Sequence, residues 1–187
     1  MPGTLLIAGD LKKQCYRSKY GIRLLCFGIL SQIPYSLARY GTISGTNLNV
    51  MITLFMSFLM LVIADKMKDK VMKGIVVFTF MILTLFSDWG VLGPFMVWLF
   101  YIYREDRKKQ LISYISLCLA EIVMSVLIIM SGAIAWYEVI WQIGMALPII
   151  LIYLYNGESG KKNFIYKWSF YLFYPLHFLV LWLILQA

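Results

Sequence analysis

The chain is poor in the side chains on which most soluble enzymes depend. Among 187 residues there is one histidine, His177, and only nine acids. Three cysteines, Cys15, Cys26 and Cys118, are odd in number and lack metal-ligand spacing, which excludes a disulfide framework and a paired-cysteine metal site. No G-x-S-x-G elbow and no H-E-x-x-H helix occurs. Gly157-Glu-Ser-Gly-Lys-Lys has the wrong spacing for a phosphate loop and no strand before it. Charged residues make up 14% of the chain, well below the quarter or so of an average soluble domain.

Apolar sequence is what the chain has in abundance. Hydrophobic residues reach 61% and the mean hydropathy is +0.79. The apolar segments are 24–38, 48–64, 74–86, 91–103, 111–132, 139–155 and 169–186, after a short stub at 4–9. Several approach the length of roughly 18 residues that spans a bilayer. Their apolar character is continuous and does not alternate with period two, so a membrane β-barrel is disfavoured. The expected fold is all-α: a polytopic helical membrane protein of about seven spans and a partial N-terminal helix, forming one domain over 1–187.

The distribution of charge predicts the topology. Lysine and arginine cluster in 10–23, 65–73, 104–110 and 156–168, whereas 87–90 and 133–138 have none and 39–47 has only Arg39. Sixteen of the seventeen basic residues therefore fall on alternate connections. By the positive-inside rule those connections face the cytoplasm and the C-terminus lies outside. The same bias explains the net charge of +8 without nucleic acid. Gly74 to Tyr103 has basic flanks at both ends, so it must cross an even number of times. It reads as two short helices turning at Asp88-Trp89-Gly90.

The N-terminal stretch has no basic region and no cleavage site, so it is not a signal peptide. It reads as the last turns of a spanning helix whose beginning lies upstream.

Ionisable groups at membrane depth are costly and mark candidate sites. His177 and Glu121 each lie about ten residues into an apolar run, at matched depth, which makes them natural partners. Such a pair suits a general base and its orienting group, and equally a neutral hydrogen-bonded lock. Phe170, Tyr174, His177 and Leu181 share one helix face beside Pro175, which frees a carbonyl. Toward the outer ends gather Gln32, Tyr35, Asn47, Asn49, Asp88, Glu138 and Gln142, for each of which a solvated cap competes with a site.

Several stretches together resemble one family. They are Tyr20-Gly-Ile-Arg-Leu-Leu, Ser31-Gln-Ile-Pro-Tyr, Leu48-Asn-Val-Met-Ile-Thr-Leu, Asp88-Trp-Gly-Val-Leu-Gly, Tyr155-Asn-Gly-Glu-Ser-Gly and Lys167-Trp-Ser-Phe-Tyr-Leu-Phe-Tyr-Pro-Leu-His. In order, across essentially the whole chain, they are similar to the TraX family of integral membrane proteins, named for a conjugation protein that N-acetylates pilin. The resemblance implies a multi-span acetyltransferase of the cell membrane, with acetyl-CoA as acyl donor and a pilin or other envelope protein as partner. It carries over Arg23, Gln32, Pro34, Asn49, Asp88, Gly90, Asn156, Gly157, Tyr174, Pro175 and His177. The family usually opens with a further span bearing an Asp-His pair, which the chain as given lacks.

These readings combine into an expected division of roles. His177, Asp88 and Glu121 are expected to be catalytic, and Arg23, Gln32, Asn49, Asn156 and Tyr174 to bind substrate, with no metal. The alternative is a non-catalytic assembly factor, or a proton-coupled transporter using Glu121 and His177. No internal repeat of the kind common in transporters is evident.

Overall fold

The structure is a computed structural model, and it describes residues 14–43, 45, 47–133, 135–137, 144–145, 147–154 and 164–186. Among these every regular element is helical. In chain order they are α1 (Gln14–Tyr40), α2 (Val50–Lys66), α3 (Lys70–Leu83), α4 (Leu92–Ile102), α5 (Arg107–Met130), α6 (Leu147–Leu154) and α7 (Phe164–Gln186). The expected stub at 4–9, together with Glu138, Gln142, Asn156 and Gly157, lies outside the described residues.

Among the described residues two helices are long and apolar enough to cross a membrane: residues Lys19–Tyr40 of α1, and α5. α4 and the Tyr171–Gln186 part of α7 are apolar but shorter. Helix α1 starts ten residues before the expected apolar segment. Hydropathy marks only the greasy part of a helix, whereas its hydrogen-bond ladder continues through Lys19 and Arg23, whose long stems tolerate apolar surroundings. The thirty-residue stretch between basic flanks is two short helices, as its charge parity predicts, joined by a turn at 84–91 in which Gly90 takes φ +43°.

Local signals set the helix starts. Asn49 caps α2, its Oδ1 accepting from the backbone N–H of Met51 at 3.0 Å and Ile52 at 3.3 Å. Asp69 caps α3 in the same way. Asp106 caps α5, and the Lys109 backbone N–H it accepts holds its carboxyl below the usual carboxylate range. Each cap satisfies donors that a helix start leaves without partners. Pro148 falls in the first turn of α6, where a missing N–H costs nothing.

The core forms around α1, α2 and α7. Leu24 and Phe27 of α1, Met51, Phe58 and Leu61 of α2, and Tyr171 of α7 pack together, with Val77 and Val97 closing from α3 and α4. A smaller cluster joins Met96 and Phe100 of α4 to Tyr114 and Cys118 of α5 and Ile152 of α6. Helices α1 and α7 share the most extensive contact. Phe27 meets Trp168 and Tyr171, while Tyr35 meets Phe178, so the two helices run parallel.

Gly28 permits a close approach of α1 to the α2 backbone. A Cβ there would lie 2.9 Å from Ile52 Cγ1 and 3.4 Å from the Ile52 backbone nitrogen. The Ile52 side chain can turn away but the backbone cannot. Gly28→Ala is therefore expected to destabilise the protein by about 1–3 kcal/mol, the usual cost of overpacking. Thermal unfolding in detergent would check this, and a melting point equal to that of the unaltered protein would show that the contact yields freely.

Candidate functional site

The α3–α4 turn is fastened to the entry of α2 by a short parallel bridge between Leu48 and Ser87. Leu48 donates its backbone N–H to Phe86 O at 3.0 Å, and Asp88 donates its own to Leu48 O at 2.8 Å. This sets Asp88 against the end of α1. Its Oδ1 accepts from Tyr35 Oη at 3.2 Å and from Arg39 Nη1 at 3.0 Å. Both bonds fall on Oδ1, which leaves Oδ2 with acceptor capacity. Asp88 is exposed as a residue, but its side chain turns toward α1 and is only 22% exposed.

Gln32 and Asn49 form the layer beneath. Asn49 is fully buried; its Nδ2 donates to Gly28 O at 2.7 Å and to Gln32 Oε1 at 2.9 Å. With two backbone N–H groups already on its Oδ1, the Asn49 amide is saturated. Gln32 Oε1 also accepts the Asn49 backbone N–H at 3.1 Å, and Gln32 Nε2 donates to Asn47 O at 2.8 Å. Both were expected to bind substrate. The geometry instead engages them within the protein, where they lock α1 to the start of α2.

Tyr174 and His177 arrive from α7. The Tyr174 hydroxyl accepts the Val50 backbone N–H at 3.2 Å, joining residues 124 apart in sequence. His177 lies against the rings of Phe173, Tyr174 and Phe178, with centroid separations of 5.2, 5.3 and 4.1 Å. Its Nδ1 is 3.1 Å from Phe173 O. A carbonyl only accepts, so Nδ1 is the donor in this contact and Nε2 is left facing away from it. Phe178 in turn packs edge-on against Tyr35 at 5.3 Å, which completes a ring of contacts back to the Asp88 partner.

Five of the eight expected site residues thus gather at one end of the bundle: Gln32, Asn49, Asp88, Tyr174 and His177. Asn156 lies outside the described residues. Arg23 sits further along α1, its guanidinium 5.9 Å from the centre of the Tyr171 ring. The expected pairing of Glu121 with His177 does not form. Depth along two helices fixes height but not azimuth: α7 packs on α1, whereas Glu121 on α5 faces the α3–α4 turn. There it lines a cavity of about 350 Å³ together with Asp88, Trp89, Met96, Leu117 and Cys118.

Sequence reasoning undervalued Arg39. It is the one basic residue that breaks the alternate-connection pattern, and the structure pairs it with a carboxylate. That exception was the signal available in the sequence.

The opposite end carries the cations. Tyr101 donates its hydroxyl proton to Asp65, tying the end of α2 to the end of α4. The connections bearing Lys66, Lys68, Lys70 and Lys73, and Arg104, Arg107, Lys108 and Lys109, therefore lie side by side. Among the described residues no group of three or more histidine, cysteine or acidic side chains could hold a metal ion.

Comparison with known proteins bears on this arrangement. The family described as TraX protein matches residues 4–185, nearly the whole chain. A protein of Dichelobacter nodosus named "Probable fimbrial assembly protein FimC, serogroup H1" is 28% identical over 171 residues, covering 87% of this chain and 70% of that relative. No solved structure matches.

Proposed function

The chain belongs to the TraX family, and from that premise we propose that it is a multi-span membrane protein of the cell envelope. In this reading it acts on a pilin or fimbrial subunit by transferring an acetyl group from acetyl-CoA to an amine or hydroxyl. The observation that carries the reading is the Asp88 cluster: a carboxylate held through one oxygen by Arg39 and Tyr35, at the same end of the bundle as His177. The similarity to a protein named for fimbrial assembly supports the choice of acceptor.

A membrane setting is supported by the exterior. Ile29, Leu30, Phe78, Leu127, Leu176 and Leu183 are all exposed, and only 17% of the apolar window of α5 is buried within the fold. In water such a surface would aggregate; lipid satisfies it. We read the topology as seven spans whose basic connections face the cytoplasm and whose C-terminus faces outward, on the alternation of lysine and arginine between apolar segments.

The cations fit the donor. Bound acetyl-CoA would supply an activated thioester, and its phosphates suit the lysines and arginines gathered at the α2–α3 and α4–α5 connections. The Asp88 cluster lies about 25 Å away along the 17 residues of α2. Asp88 Oδ2 or His177 Nε2 would take the proton from the acceptor as its nitrogen or oxygen attacks the thioester carbonyl. The C–S bond then breaks, and the same proton can pass to the departing thiolate. Arg39 orients Asp88, while Gln32 and Asn49 hold the helices that present it.

Labelled acetyl-CoA, given to membranes containing the protein and an amine-bearing pilin-like acceptor, is expected to label the acceptor. His177→Ala should lower the rate roughly a hundredfold, the low end for losing a general base. If no label leaves CoA, a non-catalytic role in fimbrial assembly replaces the enzyme reading. If His177→Ala folds and labels at the full rate, the histidine is structural.

A further inference from the structure

The two carboxylates lining the α4–α5 cavity differ in one respect. Asp88 is matched by Arg39, whereas Glu121 has no cation against it among the described residues. Trp89, Met96, Leu117 and Cys118 around it are apolar or weakly polar. An unpaired carboxylate within an apolar helix is costly in a bilayer.

Helix α5 is also thinly covered. On the face that carries Glu121, Leu117 lines the cavity and Met124 and Ile128 continue it outward at helical spacing, Met124 being 57% exposed. Leu119, Ile122, Val123 and Leu127 are exposed beside it. Lipid tails could cover this surface but cannot neutralise the carboxylate. A second copy of the chain packed symmetrically on the same face would bring Glu121 against Glu121, which like charges disfavour.

We propose that Glu121 and the flanking face of α5 form a docking site for an apolar helix of a partner protein, one that carries a single basic side chain at the depth of Glu121. The cavity admits the basic side chain, and the apolar stripe receives the rest of that helix. The proposal rests on the membrane reading and does not depend on acyl transfer.

The test uses the protein reconstituted in phosphatidylcholine liposomes and synthetic leucine–alanine helices with a central lysine or glutamine. Association is read by energy transfer between labels on the protein and the peptide. The lysine helix is expected to bind about tenfold more tightly than the glutamine helix, in keeping with a polar contact between membrane helices. Glu121→Gln should abolish the difference, and Glu121→Lys should reverse the preference toward a helix with central glutamate. Equal binding of the lysine and glutamine helices, binding of neither, or a Glu121→Lys protein that still prefers lysine would each overturn the site. Flotation with liposomes scores the membrane reading separately. A protein that floats but shows no lysine preference loses only the docking site, and one that does not float loses both.

Discussion

Asp88→Asn is expected to reduce acetyl transfer to the acceptor by about a hundredfold or more while leaving the fold intact. Amide for carboxylate keeps the shape, and an amide oxygen can still accept from Tyr35 and Arg39. What it removes is the proton-accepting power of the second oxygen, which in positioned acid–base catalysis is worth roughly 10²–10⁴ in rate. The stability change should be small, because the Arg39 side chain is 54% exposed and such a pair contributes about 1 kcal/mol or less. Arg39→Gln leaves the base in place and loosens only its orientation, so a loss of roughly tenfold, about 1.4 kcal/mol of barrier, is expected. Initial rates of label transfer, read beside melting temperatures in detergent, separate these effects. Equal rates for Asp88→Asn and the unaltered protein would remove Asp88 from the chemistry and leave it a fastener of the α3–α4 turn.

Asn49→Ala should have the largest effect on stability. The substitution removes an N-cap, worth about 1 kcal/mol by itself. It also removes the Nδ2 donor to Gly28 O and Gln32 Oε1 in a fully buried position, at about 0.5–1.5 kcal/mol for each hydrogen bond lost, since Gln32 Oε1 keeps the Asn49 backbone N–H. A loss of about 2–4 kcal/mol follows, a large fraction of a marginally stable protein's total. Asn49→Asp offers a sharper comparison. It restores the cap acceptor but points a carboxylate at two oxygens, so it should be no better than alanine. Chemical or thermal unfolding in detergent measures both. An aspartate variant as stable as the parent would show that the cap alone matters and that the cross-helix bonds to α1 do not.

The helices themselves were largely legible, because apolar run length and alternating charge are local properties of the sequence. The short α3–α4 pair followed from charge parity alone. The grouping of Asp88, Tyr174 and His177 was legible only through family resemblance, since nothing local places a turn at 88 against a helix at 174. Glu121 shows the limit most plainly. Its depth was readable, but which way it faces depends on how α5 rotates against α4, and many weak packing contacts set that rotation. Gln32 and Asn49 show a different limit. An amide that binds a ligand and one that caps a helix look alike in sequence, and only the saturated bonds around Asn49 tell them apart.

The parallel contact between α1 and α7 has a consequence for biosynthesis. Val50, at the mouth of α2, waits for the Tyr174 hydroxyl through 124 further residues. At roughly 5–20 residues per second, that delay is on the order of ten seconds. During it, the face of α1 around Phe27 and Tyr35 lies open without the helix that covers it. The nascent chain must therefore keep that face shielded until its last described helix arrives. A ribosome that stops early releases a chain without Tyr174 and His177, so synthesis of α7 is what completes the proposed site.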